Sequence, residues 1–468
     1  MQFDKDFFKS ALPQAEFLGA DISIASDISI DARDAKKGDI FIVLDRDNKD
    51  ISYILTEIIN KDVSGIIINS CEKEKLNKIN AKKLSQLSII LVKNTTQALI
   101  DLAKKWRSLF KNHVVGITGS VGKTSTKQIL SNILTLANIP FIASYPVQSF
   151  IDNQNPEIGV SFSILQIKEH HKVSLIEMGV NKRGQMALMA DIVMPTTACI
   201  SSIGHSHMDS LGSIFDIASE KKDIFKNFKE DNIGVINGDQ LILSNISYKH
   251  LVIKFGTKTT NQIQARKVQI NNSNTNFIIK LYKDRYKINL DTNHSGRITN
   301  VLVAASVAYV LNIPSDIIVK AIQTPINISS IFEQAKIKAS KGILIDDCHN
   351  ASPESMKAAL LAFEKFESKG QKIAVLGDMT ELGVNSSFWH RQLGRFLRKA
   401  PSLNHVILVG DLVESAKTTV PLGLSFEYVK DWQEAVSKVK ERLDKEAVIL
   451  VKGSRTLGLN NLVQELKE

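Results

Sequence analysis

Cysteine is scarce. The chain has three in 468 residues, Cys71, Cys199 and Cys348, far apart and without paired spacing. That excludes a disulfide framework and a zinc site built on paired thiols, and it points to a reducing compartment. Aromatic residues make up only 6%. Lys and Arg outnumber Asp and Glu by 59 to 49, a formal charge of +10, but the cations are dispersed, with no basic tail and no aromatic-lined stripe. No nucleic-acid partner is therefore expected, and the charge suits an anionic small-molecule ligand or simply a solvated surface. Long apolar runs are also missing, and Met1 to Ser10 mixes acidic, basic and aromatic residues, so the expectation is a cytoplasmic chain with no membrane partner. There is no internal repeat or low-complexity segment. What is present is ordinary: 43% apolar and 23% charged residues, enough for several buried cores. At roughly 100–200 residues per domain, the length predicts about three domains.

Pattern divides the chain into blocks at 1–92, 93–328 and 329–468. The first alternates short apolar runs (39–44, 65–69) with a helical stretch (51–60), the rhythm of a small α/β domain. Asn94 or Thr95 is placed to cap a helix running through Trp106. The second block sets apolar strands at 113–118, 173–178, 197–202 and 233–236 between helical segments, which predicts a parallel, doubly wound sheet. Two polar-apolar runs, 263–270 and 276–290, flank a turn-rich segment and read as a β-hairpin insertion. Asn300 then stands ready to cap an apolar helix over 301–311. The third block has strands at 343–346, 373–376, 405–409 and 448–451. Its helices include one introduced by the capping-box pattern Asp431-Trp432-Gln433-Glu434, and it reads as a Rossmann-like domain.

The chemistry concentrates in Gly116-Ile117-Thr118-Gly119-Ser120-Val121-Gly122-Lys123-Thr124, between a strand and a helix. Glycines let backbone N–H groups turn onto a phosphate, the helix N-terminus adds partial positive charge, Lys123 adds a full charge, and the Thr124 hydroxyl suits magnesium. The general pattern wants glycine five positions before Gly122, where Ile117 stands.

This loop resembles the short P-loop of the Mur ligases, ATP-dependent amide-forming enzymes of peptidoglycan precursor synthesis, in which Thr-Gly-Ser-x-Gly-Lys-Thr is typical. Other segments narrow the resemblance to the MurF-type branch: Asn155-Pro156-Glu157-Ile158-Gly159-Val160, Ile176-Glu177-Met178-Gly179, Asp346-Asp347-Cys348-His349-Asn350-Ala351, Gly377-Asp378-Met379-Thr380-Glu381-Leu382-Gly383 and Lys452-Gly453-Ser454-Arg455. The resemblance runs in order along essentially the whole chain. It implies an α/β, three-domain Mur ligase architecture: a small N-terminal α/β domain for a UDP-sugar, a central P-loop ATPase domain, and a C-terminal Rossmann-like domain. It implies joining of D-alanyl-D-alanine to UDP-N-acetylmuramoyl-tripeptide through an acyl phosphate, with ATP consumed, by a monomer.

The same resemblance assigns residues. Thr118, Gly119, Ser120, Val121, Gly122, Lys123 and Thr124 would hold ATP, with Asn237, Asn300 and Asp347 as further nucleotide contacts. Thr124 and Glu177 would hold one magnesium, and His207 and Lys221 a second. Lys221 lies in Ile217-Ala218-Ser219-Glu220-Lys221, similar to the helix whose lysine is carbamylated in these enzymes, a change that makes a cation into an oxygen-donating anion. His205 reads as a loop residue only. Lys123, Lys221 and His207 carry the catalytic assignment. Arg33, Asn155, His349, Asn350, Lys452 and Arg455 carry the substrate assignment, with His349 also placed for a base. A base has little to do, because an α-amino group with a pKa near 8 is about one-tenth neutral at pH 7, a deficit of about 1.4 kcal/mol.

The departures from the family pattern cluster. Ala32 replaces a hydroxyl residue, Pro156 an asparagine and His349 a tyrosine. His294-Ser295-Gly296-Arg297 stands where Gly-x-His-Asn is expected, a Gly-Arg pair is absent around Ser329 and Ser330, and the loop after Leu44 is short. Two other readings follow: a Mur-superfamily ligase that adds a single amino acid, or an ATP-binding paralogue without ligase activity.

Overall fold

The computed structural model describes residues 2–22, 24–45, 51–78, 84–144, 155–326, 328–338 and 340–468. The shortened loop after Leu44 lies largely outside them. Apolar runs that alternate with helices form three sheets, each mostly parallel, whose inner strands such as Ile40–Ile42, Thr197–Ile200 and Val448–Lys452 are buried along their whole length, as continuous apolar strands require. The first sheet runs Glu16–Gly19, Ser88–Val92, Gly65–Asn69, Ile40–Ile42, Ile28–Ser29, with the first pair antiparallel. The last runs Glu333–Lys336, Ile343–Asp346, Val448–Lys452, Lys372–Gly377, His405–Val409, Ser425–Val429, again with one antiparallel edge strand.

The central sheet has nine strands. From its parallel edge they are Phe141–Ala143, Val173–Glu177, His113–Thr118, Thr197–Ile200, Ile233–Asn237 and Leu251–Gly256. Ile263–Ile270, Thr275–Leu281 and Asp284–Leu290 follow as an antiparallel meander. The expected hairpin is thus three strands. The 276–290 run breaks where Leu281 pairs with Asp284 across a two-residue turn, and Tyr282 takes φ 54°, a geometry incompatible with an extended strand.

Two further expectations are corrected. Asn300 is no cap: its helix begins at Gly296, and Ile298 is already buried, so Asn300 lies in the second turn. Asp431 does cap its helix, accepting from the Glu434 N–H at 2.9 Å, but Glu434 reaches the Lys430 N–H at 3.3 Å rather than that of Asp431. The expected cap at Asn94 is formed, with its side chain accepting from Gln97 N–H at 2.7 Å.

The helix Thr95–Ser108 joins the first two blocks. Trp106, 2% exposed, stacks on Phe3 at 4.0 Å and meets Phe7 edge-on at 5.3 Å, and its indole N–H donates to the Ile167 carbonyl at 3.0 Å. One apolar core runs from Phe8, Ile28 and Ile40 through Trp106 to Met178, Ile217 and Ile224. The third block has two cores of its own, drawn entirely from residues 332–466. No helix among the described residues is long and apolar enough to cross a membrane.

Candidate active site

The strand His113–Thr118 ends at the carboxyl edge of the central sheet, where sites in open α/β sheets lie. Its chain turns through Gly119 and Gly122 into the helix Lys123–Leu136. Both glycines are required. Gly122 has φ 86°, and a Cβ there would lie 2.2 Å from Asn300 Oδ1; at Gly119, φ 149°, it would lie 2.0 Å from Ser201 Oγ. The loop is fastened from behind: Ser120 N–H donates to the Ser202 carbonyl at 2.8 Å, Ser120 Oγ bonds Gly204 N–H and C=O at 2.9 and 3.0 Å, and Ser201 Oγ donates to the Val121 carbonyl at 2.6 Å. Lys123 Nζ reaches the Gly119 carbonyl at 3.0 Å. Desolvation lowers the pKa of Lys123, against the opposing charges of Glu177 and Glu381.

Glu177, at the end of the neighbouring strand, accepts from the Thr124 hydroxyl at 3.0 Å. It also pairs with Lys127 at 3.2 Å, and Ser144 Oγ accepts from its N–H at 3.1 Å. Lys127 and Ser144 escape the sequence reading, although Lys127, three residues after Thr124 on one helix face, carried a spacing signal.

Lys221 is 1% exposed on a helix begun by a complete Ser213–Asp216 capping box. Among the described residues its ammonium has no hydrogen bond and no ion pair. Its pKa falls to about 7, first through desolvation, then through the like charge of Lys123, with Glu220 opposing. Glu220 itself is committed elsewhere, accepting from the N–H groups of Gly184 and Met186 at 2.8 Å each.

His207, with φ 59°, stands just before the short helix Met208–Leu211. Its Nδ1 meets Glu381 of the third block at 2.7 Å. His205, expected to be a bystander, also crosses to the third block, with Nδ1 2.6 Å from Glu354. No cluster of three His, Cys, Asp or Glu among the described residues forms a ready-made metal site.

From the third block, His349 comes within charge range of both Glu177 and Lys123. Burial lowers its pKa, Glu177 opposes, and Lys123, Lys452 and Arg455 add to the lowering. Arg455 is exposed. Lys452 faces inward: its side chain is 3% exposed, pairs with Asp347 at 2.8 Å and donates to the Asn350 carbonyl at 2.9 Å. Asp347 is thereby held too, and accepts from Phe332 N–H at 3.1 Å. Asn350 bonds the Ala351 N–H with its side chain at 2.8 Å. The structure therefore gathers the P-loop, Glu177, Asn300, Lys221, His207 and His349. The Asp347–Lys452 pair braces the loop that carries His349.

The remaining residues sit on other elements. Asn237 makes a turn, accepting from Asp239 N–H at 3.0 Å. Asn155 is exposed just ahead of the helix Pro156–Leu165, where proline at the first position is favourable. Arg33 forks onto Asp31, with its terminal nitrogen at 2.6 Å.

Family matches agree with this geometry. Residues 117–308 match the Mur ligase middle domain and residues 333–455 the Mur ligase, glutamate ligase domain. Fold and P-loop together define a Mur-type ligase. A relative from Bacillus subtilis, UDP-N-acetylmuramoyl-tripeptide–D-alanyl-D-alanine ligase, is 31% identical over 386 residues, 81% of each chain. The chain belongs to this MurF family. Two solved structures share the fold at 23% identity: MurF from Acinetobacter baumannii, with TM-score 0.84 over 99% of this chain and 98% of that one, and MurF from Thermotoga maritima in complex with ADP, with TM-score 0.77 over 94% and 96%.

Proposed function

We propose that this chain joins D-alanyl-D-alanine to UDP-N-acetylmuramoyl-tripeptide, converting ATP to ADP and phosphate, as its MurF relatives are named for doing. The γ-phosphoryl passes to the tripeptide carboxylate, and the amine of the dipeptide attacks the acyl phosphate and displaces phosphate. The observation that carries this reading beyond a generic nucleotide-binding loop is the buried Lys221, within charge range of Lys123 and without an ion pair among the described residues.

Several negative charges must converge in one cleft, and in a low-dielectric site each close like-charged pair costs several kcal/mol. Lys123 and the N-terminus of the helix Lys123–Leu136 are placed to meet the phosphates. Magnesium fits: the Thr124 hydroxyl and the Glu177 carboxylate are hard oxygen donors that already converge. A second ion would be held by His207 and Lys221, once the Lys221 amine adds CO2 to become a carbamate anion and releases a proton to solvent. Bound there, the ions would neutralise phosphate charge. His349, kept neutral by burial, is placed to take the proton the amine releases. Asn300, against Gly122, is the nucleotide contact that the loop geometry supports best.

Residues 1–92 are proposed to hold the UDP-sugar, with Arg33 toward its phosphates, 93–328 to hold ATP, and 329–468 to bring the amine, in a cytoplasmic monomer. The test is phosphate release with ATP and the UDP-tripeptide. D-alanyl-D-alanine should stimulate it where single amino acids do not. Stimulation by a single amino acid alone would overturn the dipeptide assignment, and stimulation by neither would favour a binding-only paralogue.

A further inference from the structure

The third block is docked on the middle block through both ends of one helix, Pro353–Glu364, which at about 1.5 Å per residue is roughly 18 Å long. At its C-terminal end the contacts gather beside the covalent connection. Asn293, 4% exposed, donates to the Ala362 carbonyl at 3.1 Å and to the Asn272 carbonyl at 2.7 Å. Lys365 donates to the Ile270 carbonyl at 2.8 Å, and Asn272 bonds Glu367. Arg297 holds the Ile326 carbonyl at 2.8 Å, and His294 lies 5.0 Å from the Phe332 ring. The meander insertion thus supplies one side of a pivot.

At the N-terminal end the contact reaches the P-loop. Glu354 accepts from His205 N–H at 3.2 and 3.3 Å and faces His205 Nδ1 at 2.6 Å. The His205 ring also packs on Trp389, 4.3 Å between centroids. The Glu354 carboxylate lies over Gly204, where an added Cβ would be 2.9 Å from its Cδ. Gly204 is bonded on both its N–H and C=O to Ser120 Oγ of the P-loop. Among the described residues neither core of the third block includes one from the middle block, so polar contacts at the two ends of this helix carry much of the docking.

We propose that His205 and Glu354 form a closure latch. They are positioning residues that hold the third block, with His349 and Glu381, over the P-loop, while the Asn293 end acts as the pivot. The pair touches neither phosphate nor metal donors. It acts through Gly204 and Ser120, so that the P-loop and the amine-delivering block come into register together. The activity arm of the test rests on the ligase reading; the shape arm does not.

Small-angle scattering of the full chain with magnesium and adenylyl imidodiphosphate, with and without UDP-tripeptide, reads closure directly. The parent should compact. His205→Ala and Glu354→Gln should stay extended, and so should Gly204→Ala, which adds only a methyl against the Glu354 carboxylate and guards against a variant that fails to fold. His205→Asn, which keeps a donor near the Nδ1 position, should restore compaction. In turnover, KM for D-alanyl-D-alanine should rise about tenfold in the latch variants, and by more than KM for ATP. The double variant His205→Ala/Glu354→Gln should lose no more than either single one. Parent-like compaction in His205→Ala and Gly204→Ala, or additive losses in the double variant, would overturn the latch. A parent without ligase activity that still compacts, with latch variants that do not, would fail the functional reading and leave the latch standing.

Discussion

Glu220 and Lys221 are neighbours on one helix and meet opposite fates. Glu220 satisfies two backbone N–H groups at the start of the helix Gln185–Val193, whereas Lys221 is buried with no counter-ion among the described residues, and desolvation draws its pKa from 10.5 to about 7. As pH rises through that value the free amine, the form that reacts with CO2, comes to dominate. Intact-mass measurement in bicarbonate should therefore show one CO2 adduct that grows from pH 6 to pH 8 and is absent from Lys221→Ala. That variant should lose on the order of 100-fold in kcat; active enzyme with Lys221 unmodified would remove the carbamate. The thiols give a second residue-level expectation. Burial raises Cys199 to about 12 and pushes Cys348 well above its ordinary value, while Cys71 is exposed. Iodoacetamide at pH 8 should label one thiol in the native chain and three in denaturant, because only a thiolate reacts; fast native labelling of Cys199 would contradict this. The candidate site was legible where its residues are contiguous, as in the P-loop, or end a strand, as Glu177 does. The Asp347–Lys452 pair was not legible. The sequence context of Lys452 suits a ligand contact, and the parallel pairing of Asp346 with Val451 also brings it against Asp347, a neighbour that no local pattern encodes. Glu381 was visible as part of a motif, yet its contact with His207 exists only once two blocks meet.

At the scale of elements, Arg107 shows how much one side chain can fasten. It is 6% exposed, and its guanidinium donates to the carbonyls of Val193, Met194 and Phe110 at 2.8, 3.1 and 2.7 Å. It thus closes the C-terminus of the helix Gln185–Val193, whose capping residue Met194 takes φ 44°. Desolvation lowers its pKa, but guanidinium stays charged and the carbonyls answer that charge. Arg107→Met should leave them unsatisfied and cost about 3 kcal/mol in urea unfolding, with kcat per folded molecule unchanged. A cost below about 0.5 kcal/mol would show that water replaces the guanidinium. The P-loop gives the opposite expectation. Gly122→Ala forces a Cβ against Asn300 at φ 86°, so ATP affinity by calorimetry should fall at least about tenfold for a modest loss of stability. Element types were legible because apolar runs and helical periods are local signals. Element starts were less so: the helix carrying Asn300 begins four residues before Asn300, where Gly296 and Arg297 carry no apolar signal, and the break at Tyr282 depends on a backbone conformation that the run 276–290 conceals.

On the scale of the whole molecule, the distribution of apolar cores sets which parts move together. The first block shares a continuous core with the middle block through Phe3, Phe7 and Trp106, so sliding one against the other would expose aromatic surface. The third block is apolar within and polar at its dock, where His205–Glu354, His207–Glu381 and Asn293–Ala362 exchange for water at little net cost. Two of the three blocks should therefore behave as one rigid unit, with the third opening and closing on it, an arrangement that suits a candidate site shared by the middle and third blocks. Trp106→Ala separates this from independent packing of three units. Removing a buried indole costs about 3–5 kcal/mol, and because the core is shared, native-state hydrogen exchange should show faster opening in Gly65–Asn69 and Ser88–Val92 together with His113–Thr118, while Lys372–Gly377 and Val448–Lys452 keep their protection. If only the first sheet loses protection, the two blocks are separate cooperative units, and closure would have two moving parts rather than one.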